Sequence, residues 1–230
     1  MKDFTRYAIY YAPRPGGFAD RAASWLGWDA ATGQAVPHPD LPGVDWPLAD
    51  LTQAPRKYGF HGTIRAPFRL ADGVTPEDLD AALQRLAGEL PMVRMAGLAL
   101  QRVQGFLALL PQGDETDLVW LGAEVVSRTE PLRAPLTATE IARRRPDRLT
   151  PRQRHLLEVW GYPHVMEEFQ FHLTLTDRLT EAQGQTVIPA LQSWLAPVLP
   201  SPFVIEDLCL FGEDATGQFH LLSRHQLAGA

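Results

Sequence analysis

Two stretches of the chain alternate polar and apolar residues with a period of two, and they repeat one another: Tyr58-Gly-Phe-His-Gly-Thr-Ile-Arg65 and Phe169-Gln-Phe-His-Leu-Thr-Leu-Thr176. Side chains along a strand point alternately to opposite faces. In the second stretch Gln170, His172, Thr174 and Thr176 therefore share one face, and Phe169, Phe171, Leu173 and Leu175 share the other. In the first, His61, Thr63 and Arg65 fall on the open face while Phe60, Gly62, Ile64 and Ala66 fall on the packing face. Tyr58, three residues before His61, is expected on the packing side. This alternation is that of a half-buried strand. The two His-x-Thr copies stand 111 positions apart in 230 residues. That spacing predicts two related lobes, approximately 1–125 and 126–230, within a single bilobal domain whose lobes are free to exchange terminal strands.

The remaining pattern supplies the elements around these strands. Tyr7–Tyr11 is rich in strand formers and is stopped by Pro13, Pro15, Gly16 and Gly17. A short helix over Phe18–Leu26 follows. Residues 28–55 carry Gly33, Pro37, Pro39, Pro42, Gly43 and Pro47 with no lasting period, and read as a long loop, either a cover over a site or a plain surface excursion. His38, between two prolines there, has nothing nearby to hold its ring. Thr75-Pro-Glu-Asp78 is a helix start, with Leu79, Leu83, Leu86 and Leu90 as the buried stripe. Val93–Leu110 reads as a hairpin around Gln104-Gly105, Leu118–Leu121 as a strand, and Glu124–Arg133 as a helix. Thr137 with Glu140, Thr150 with Gln153, and Thr180 with Gln183 have capping-box spacing. Pro189 predicts a late start or a kink in the last of these helices. Phe203–Phe211 and Phe219–Leu222 read as closing strands.

Composition narrows the class. A hydrophobic content of 45% is ordinary for a folded globular chain. The single Cys209 excludes an internal disulfide, no signal-peptide pattern opens the sequence, and no apolar run is long enough to span a bilayer. These features predict a cytoplasmic protein with no membrane partner. A formal net charge of −6 speaks against extended nucleic acid, which needs a positive surface to displace counterions, and leaves short RNA ends open. The run Arg143, Arg144, Arg145, Arg148, Arg152 and Arg154 reads first as a solvated basic face, with a rim that steers anions to a site as the functional alternative. His155 in that region reads as structural or exposed. Oligomeric state is not legible.

With its paired His-x-Thr strands and the segments RYAIYYAP, RKYGFHGTIRAPFRL and GYPHVMEEFQFHLTLT, the chain resembles the two-histidine phosphoesterases over roughly residues 5 to 222, in particular the branch encoded in bacterial phosphonate-utilisation operons. The resemblance implies an α+β, bilobal, pseudo-two-fold fold, two antiparallel sheets forming a central cleft with helices outside. It also implies catalysis without a metal or cofactor on a small phosphorylated substrate. Hydrolysis of a phosphodiester needs a base for water and an acid for the departing alkoxide, and histidine titrates where both roles are available. His61 and His172 are the expected pair. Thr63 and Thr174 are expected to donate to the non-bridging oxygens. Arg65 adds a fixed positive charge where the family commonly has lysine. Lys57, at the entry of the first motif strand, with a solvated end as its alternative, and Tyr7 and Tyr162, on neighbouring elements, with core packing as the favoured alternative, complete the candidate substrate contacts.

Three readings of function follow. The leading one is a metal-independent phosphodiesterase for a small cyclic phosphate, placed by the resemblance in phosphonate metabolism. The second is an RNA-end enzyme that opens 2′,3′-cyclic ends or forms 2′,5′ links. The third is a phosphate-binding protein without turnover, against which two intact titratable groups count.

Overall fold

The computed structural model describes residues 4–229. Strand β1 (Arg6–Tyr11) leads into helix α1 (Gly17–Leu26), which ends on Gly27 in the left-handed region. Residues 28–55 are more structured than their composition predicts. They hold a two-stranded ribbon, β2 (Trp28–Asp29) with β3 (Gln34–Ala35), the short helix α2 (Leu48–Leu51) and the start of α3 (Gln53–Tyr58). Each element is too short to leave a periodic signal. Strand β4 (Gly62–Phe68) carries the first motif, and α4 (Pro76–Ala87) follows with the Thr75–Asp78 capping box formed in both directions. After β5 (Val93–Met95) come β6 (Gly97–Val103) and β7 (Phe106–Gln112), a hairpin turning at Gln104 and Gly105, both with positive φ.

The run Leu118–Leu121 lies in helix α5 (Thr116–Thr129), not in a strand. Four apolar residues alone fit either period, but Leu118, Leu121, Gly122, Val125, Val126 and Thr129 are all buried on one helical face. Helices α6 (Ala138–Arg143) and α7 (Pro151–Trp160) start at the capping boxes of Thr137 and Thr150. The second motif holds β8 (Leu173–Thr174). Helix α8 (Glu181–Leu195) starts at Thr180 and runs through Pro189 without a late start. The final region read as one strand is divided into β9 (Phe203–Ile205), which pairs with β5, and β10 (Asp207–Glu213), which pairs with β11 (Phe219–Gln226).

Seven strands make one antiparallel sheet in the order β11-β10-β1-β4-β8-β7-β6. The first-motif strand β4 thus lies with β1 and the chain's last two strands, and the second-motif strand β8 lies with β7 and β6. The two groups join at a single register pair, Gly62 with Leu173. Glycine is required there, because a Cβ at Gly62 would come within 2.1 Å of the Phe171 ring. The face of β1 carrying Tyr7, Ile9 and Tyr11 packs into the main core with the buried stripes of α1, α4, α5 and α8. The opposite face, with Ala8, Tyr10 and Ala12, packs on Phe211 and Phe219. Along that second face opens a cleft of about 710 Å³ to which both motifs contribute.

Candidate active site

Helix α3 delivers the chain to the first motif. It ends at Gly59 (φ 71°), whose N–H returns to the Arg56 carbonyl at 3.1 Å. The freed Gly59 carbonyl oxygen lies 2.9 Å from Nδ1 of His61. A carbonyl can only accept, so Nδ1 carries the proton and the neutral ring presents the Nε2 lone pair. The Thr63 hydroxyl, 3.3 Å away, donates to that Nε2. Tyr10 stacks on the His61 ring at 4.0 Å between centroids, and Tyr58 lies tilted against it at 5.7 Å. The ring keeps an edge open to the cleft but is otherwise enclosed by these aromatics. Burial, outweighing the Gly59 hydrogen bond and reinforced by the charge of His172, pushes the His61 pKa down to about 4.

The second motif repeats the orienting bond. Nδ1 of His172 lies 2.9 Å from the Gln170 carbonyl oxygen, so its Nε2 is also the free nitrogen. Phe106 is the aromatic neighbour, tilted at 5.8 Å. His172, Thr174 and Thr176 line the same cleft as His61 and Thr63, while Phe171, Leu173 and Leu175 are buried behind them, as strand alternation requires. Thr176 is occupied by the fold, its hydroxyl accepting from the Leu107 N–H at 2.9 Å.

Alternation fails further along β4. Opposite β1, Thr63 pairs with Tyr10 but Arg65 pairs with Ile9, so β4 carries an extra residue at this point, and a second irregularity follows before Phe68. A bulge of this kind reverses which side chains face the cleft. Ala66 and Pro67 line it, and Arg65 does not. Arg65 is instead buried, bonded to the Val126 carbonyl at 2.8 Å and to the Thr129 hydroxyl, paired with Glu130 at 2.8 Å and laid over Phe68. Its expected place on the open face is corrected to a structural one. Lys57 is exposed on α3 and is not part of the cleft wall. Tyr7 is in the core by the parity of β1; the tyrosine of that strand in the cleft is Tyr10, joined by Arg6. Tyr58, expected among packing residues, also lines the cleft, because it ends a helix and strand parity does not extend to it. Tyr162, for which core packing is the favoured alternative in the sequence, lines the cleft. His38 is held by the Trp25 carbonyl and Arg56, and His155 is exposed.

The charges of the cleft are unequal in availability. Its carboxylates are all engaged: Glu213 takes a two-point bond from Arg6 at 2.5 and 2.6 Å, Glu140 is bonded by Arg69 and Thr137, and Asp177 accepts from the Ala54 N–H at 3.2 and 3.3 Å. Of its guanidinium groups, Arg143, Arg144 and Arg178 have no hydrogen bond or ion pair among the described residues; Arg144 lies over the Tyr162 ring at 4.7 Å. A chain of net charge −6 thus opens its cleft with unneutralised cations, an arrangement suited to an anion. Part of the basic run read first as a solvated face therefore belongs to the site. Arg152, by contrast, pairs with Glu167, and Arg154 bonds the Leu149 carbonyl. Among the described residues, no three of His, Cys, Asp and Glu come together as a metal-binding group, and no helix is long and apolar enough to cross a membrane.

The model of a family described as a protein of unknown function (DUF1045) matches residues 63–220. The chain is 34% identical over 222 residues to a protein of Janthinobacterium sp. (strain Marseille) named ribose 1,5-bisphosphate phosphokinase PhnN, covering 94% of this chain and 49% of that one. It is 32% identical over 220 residues to the protein of the same name from Laribacter hongkongensis (strain HLHK9), covering 95% and 51%. The chain thus spans about half the length of these relatives. Among solved structures, E. coli LigT in apo form aligns over 98% of this chain and 99% of its own, at 14% identity and a TM-score of 0.45.

Proposed function

This chain belongs to the DUF1045 family, and from that premise we propose that it is a metal-independent phosphodiesterase acting on a small cyclic phosphate or phosphodiester. The observation that carries this reading is the matched pair of Nδ1–carbonyl bonds, each of which turns a histidine Nε2 into one cleft that also presents free guanidinium groups. His61 is the general base. With its pKa near 4 it is neutral through the physiological range, and its Nε2 takes a proton from water as the water oxygen attacks phosphorus. His172 is the general acid. In its doubly protonated form, which carries a proton on Nε2 as well as on Nδ1, it protonates the leaving alkoxide as the P–O bond breaks on the far side. With a phosphodiester bound, the Thr63 hydroxyl turns from His61 Nε2 to the non-bridging oxygens, to which Thr174 also donates. Both proton transfers are supplied by side chains.

The relatives' name supports a phosphorylated ribose as the substrate class, in line with a role in phosphonate metabolism. A kinase activity finds less support in this segment. It has two lysines, Lys2 and Lys57, neither following a glycine, so the G-x-x-x-x-G-K-[ST] phosphate loop is missing from its sequence. The test is kcat/KM on ribose cyclic phosphates, cyclic nucleotides and short cyclic-ended RNA, before and after exhaustive EDTA dialysis, with the His61→Ala/His172→Ala double variant as control. Turnover that survives chelation and vanishes in the double variant is expected. Activity lost on chelation and restored by Mn²⁺ or Zn²⁺ would sink the two-histidine account.

A further inference from the structure

We propose that Arg143 and Arg144 form a second anion subsite in the cleft, which takes a terminal phosphate on the substrate, distinct from the phosphodiester held between the histidines. The inference deepens the proposed function and rests on its placing of a phosphodiester at the histidines. The local geometry is unusual for a helix. Glu140 stands three and four positions before the two arginines, the spacing at which a carboxylate normally pairs with them. Here it is diverted. Its two oxygens accept from Arg69 at 3.1 Å each, and the Thr137 N–H and hydroxyl add bonds at 2.7 and 2.9 Å. The capping box that starts α6 and the ion pair that ties α6 to Arg69 consume the carboxylate, leaving two adjacent guanidinium groups unneutralised on the cleft wall.

Position follows from the neighbours. The Arg144 guanidinium lies over the Tyr162 ring, which restricts it to a plane along the wall. Tyr162 packs edge-on against His164 at 5.7 Å. His164 is held below the ordinary histidine range by burial first, and then, against Glu168, by the positive charges of Arg144 and His172. The arginine pair therefore lies on the cleft wall beside Tyr162. A planar guanidinium pairs with phosphate oxygens through two parallel bonds, which a lysine cannot reproduce. A cleft of about 710 Å³ is also larger than one cyclic phosphate fills. The substrate class this implies is a sugar that carries a phosphomonoester in addition to the scissile diester.

Binding tests this without requiring turnover. Calorimetry with ribose 1,5-bisphosphate and ribose 1-phosphate, which lacks the terminal phosphate, is expected to show the bisphosphate bound at least about 30-fold more tightly by the wild type, the scale of one or two charge-assisted bonds. In Arg143→Ala/Arg144→Ala that ratio is expected to fall to within about 3-fold, and Arg144→Lys to fall between. The ratio is expected to survive in His61→Ala/His172→Ala with both ligands weakened. Equal binding of the two ligands by the wild type, or a ratio unchanged in the double arginine variant, overturns the subsite. A preserved ratio with no hydrolysis of any cyclic phosphate would leave the subsite standing and remove the phosphodiesterase reading instead.

Discussion

The two motif regions orient their histidines in the same way and surround them differently. In each, Nδ1 donates to the carbonyl two residues earlier, a bond available to any chain that kinks just before the strand. Beyond it the likeness ends. His61 precedes a seven-residue strand paired with β1 along its length, over a bed of Tyr10, Tyr58, Phe211 and Phe219. His172 precedes a two-residue strand, with Phe106 beside its ring. Orientation is thus a local device, repeated in both halves. Tuning is environmental, and at His61 the aromatic bed supplies it. One repeated motif can yield a base and an acid because the environments of its two copies differ.

Removing either histidine has the largest expected effect. His61→Ala and His172→Ala are each expected to lower kcat/KM by about 100-fold to 10,000-fold on an unactivated diester, with the melting temperature nearly unchanged. The comparison is sharpened by leaving group. Bis(p-nitrophenyl) phosphate releases a phenolate that needs no protonation, so His172→Ala is expected to recover most of its loss on this substrate, whereas His61→Ala is not. Equal losses on both substrates would break the division of roles.

A smaller effect is expected where the halves are linked. Asp177, three residues after Thr174, accepts from Ala54 at the start of α3, and its own N–H donates to the Leu51 carbonyl at 2.7 Å. Helix α3 ends at Gly59, whose carbonyl orients His61. A carboxylate in an anion-binding cleft works against substrate, so its value there is mechanical. Asp177→Ala is expected to lower kcat about tenfold with little change in KM, since loss of a helix-capping group costs about 1 kcal/mol and frees the helix to shift. Asp177→Asn, which keeps the acceptor, is expected to restore most of kcat. A rise in activity for both variants would show that the charge matters more than the link.

What was legible in the sequence follows the same division. Local devices were readable: both histidines, the partner threonines, the capping boxes of α4, α6, α7 and α8, and the apolar face behind His172 all follow from spacing alone. The losses came where neighbours decide. Arg65 shares parity with His61 in the sequence, but a bulge against β1 turns it into the core beside Glu130. Tyr7 and Tyr10 are three apart on one strand, and only the pairing of β1 between β10 and β4 shows which faces the cleft. Arg143 and Arg144 look like the rest of a basic run until Glu140 is seen to be taken by Arg69. Tyr58 belongs to a six-residue helix too short to announce itself.

The smallest expected effect at neutral pH bears most directly on the tuning. Because kcat/KM reports the free enzyme, its acid limb should follow the protonation of His61, which burial holds at about 4 rather than near the ordinary 6.5. As the pH falls through that value His61 gains a proton and can no longer accept one from water. Tyr58→Ala would open the cleft side of the ring to water, and better solvation of the charged form raises a histidine pKa. The acid limb is therefore expected to move up toward the ordinary histidine range. Rates above about pH 8 should change little on this account, since His61 is neutral there in both proteins. The measurement is kcat/KM from pH 3.5 to 9 for wild type and Tyr58→Ala, with the stability of each checked across the range. A limb that stays in place would mean that Tyr10, stacked at 4.0 Å, does the desolvating by itself. A wild-type limb already near 6.5 would mean that the aromatic bed does not tune His61.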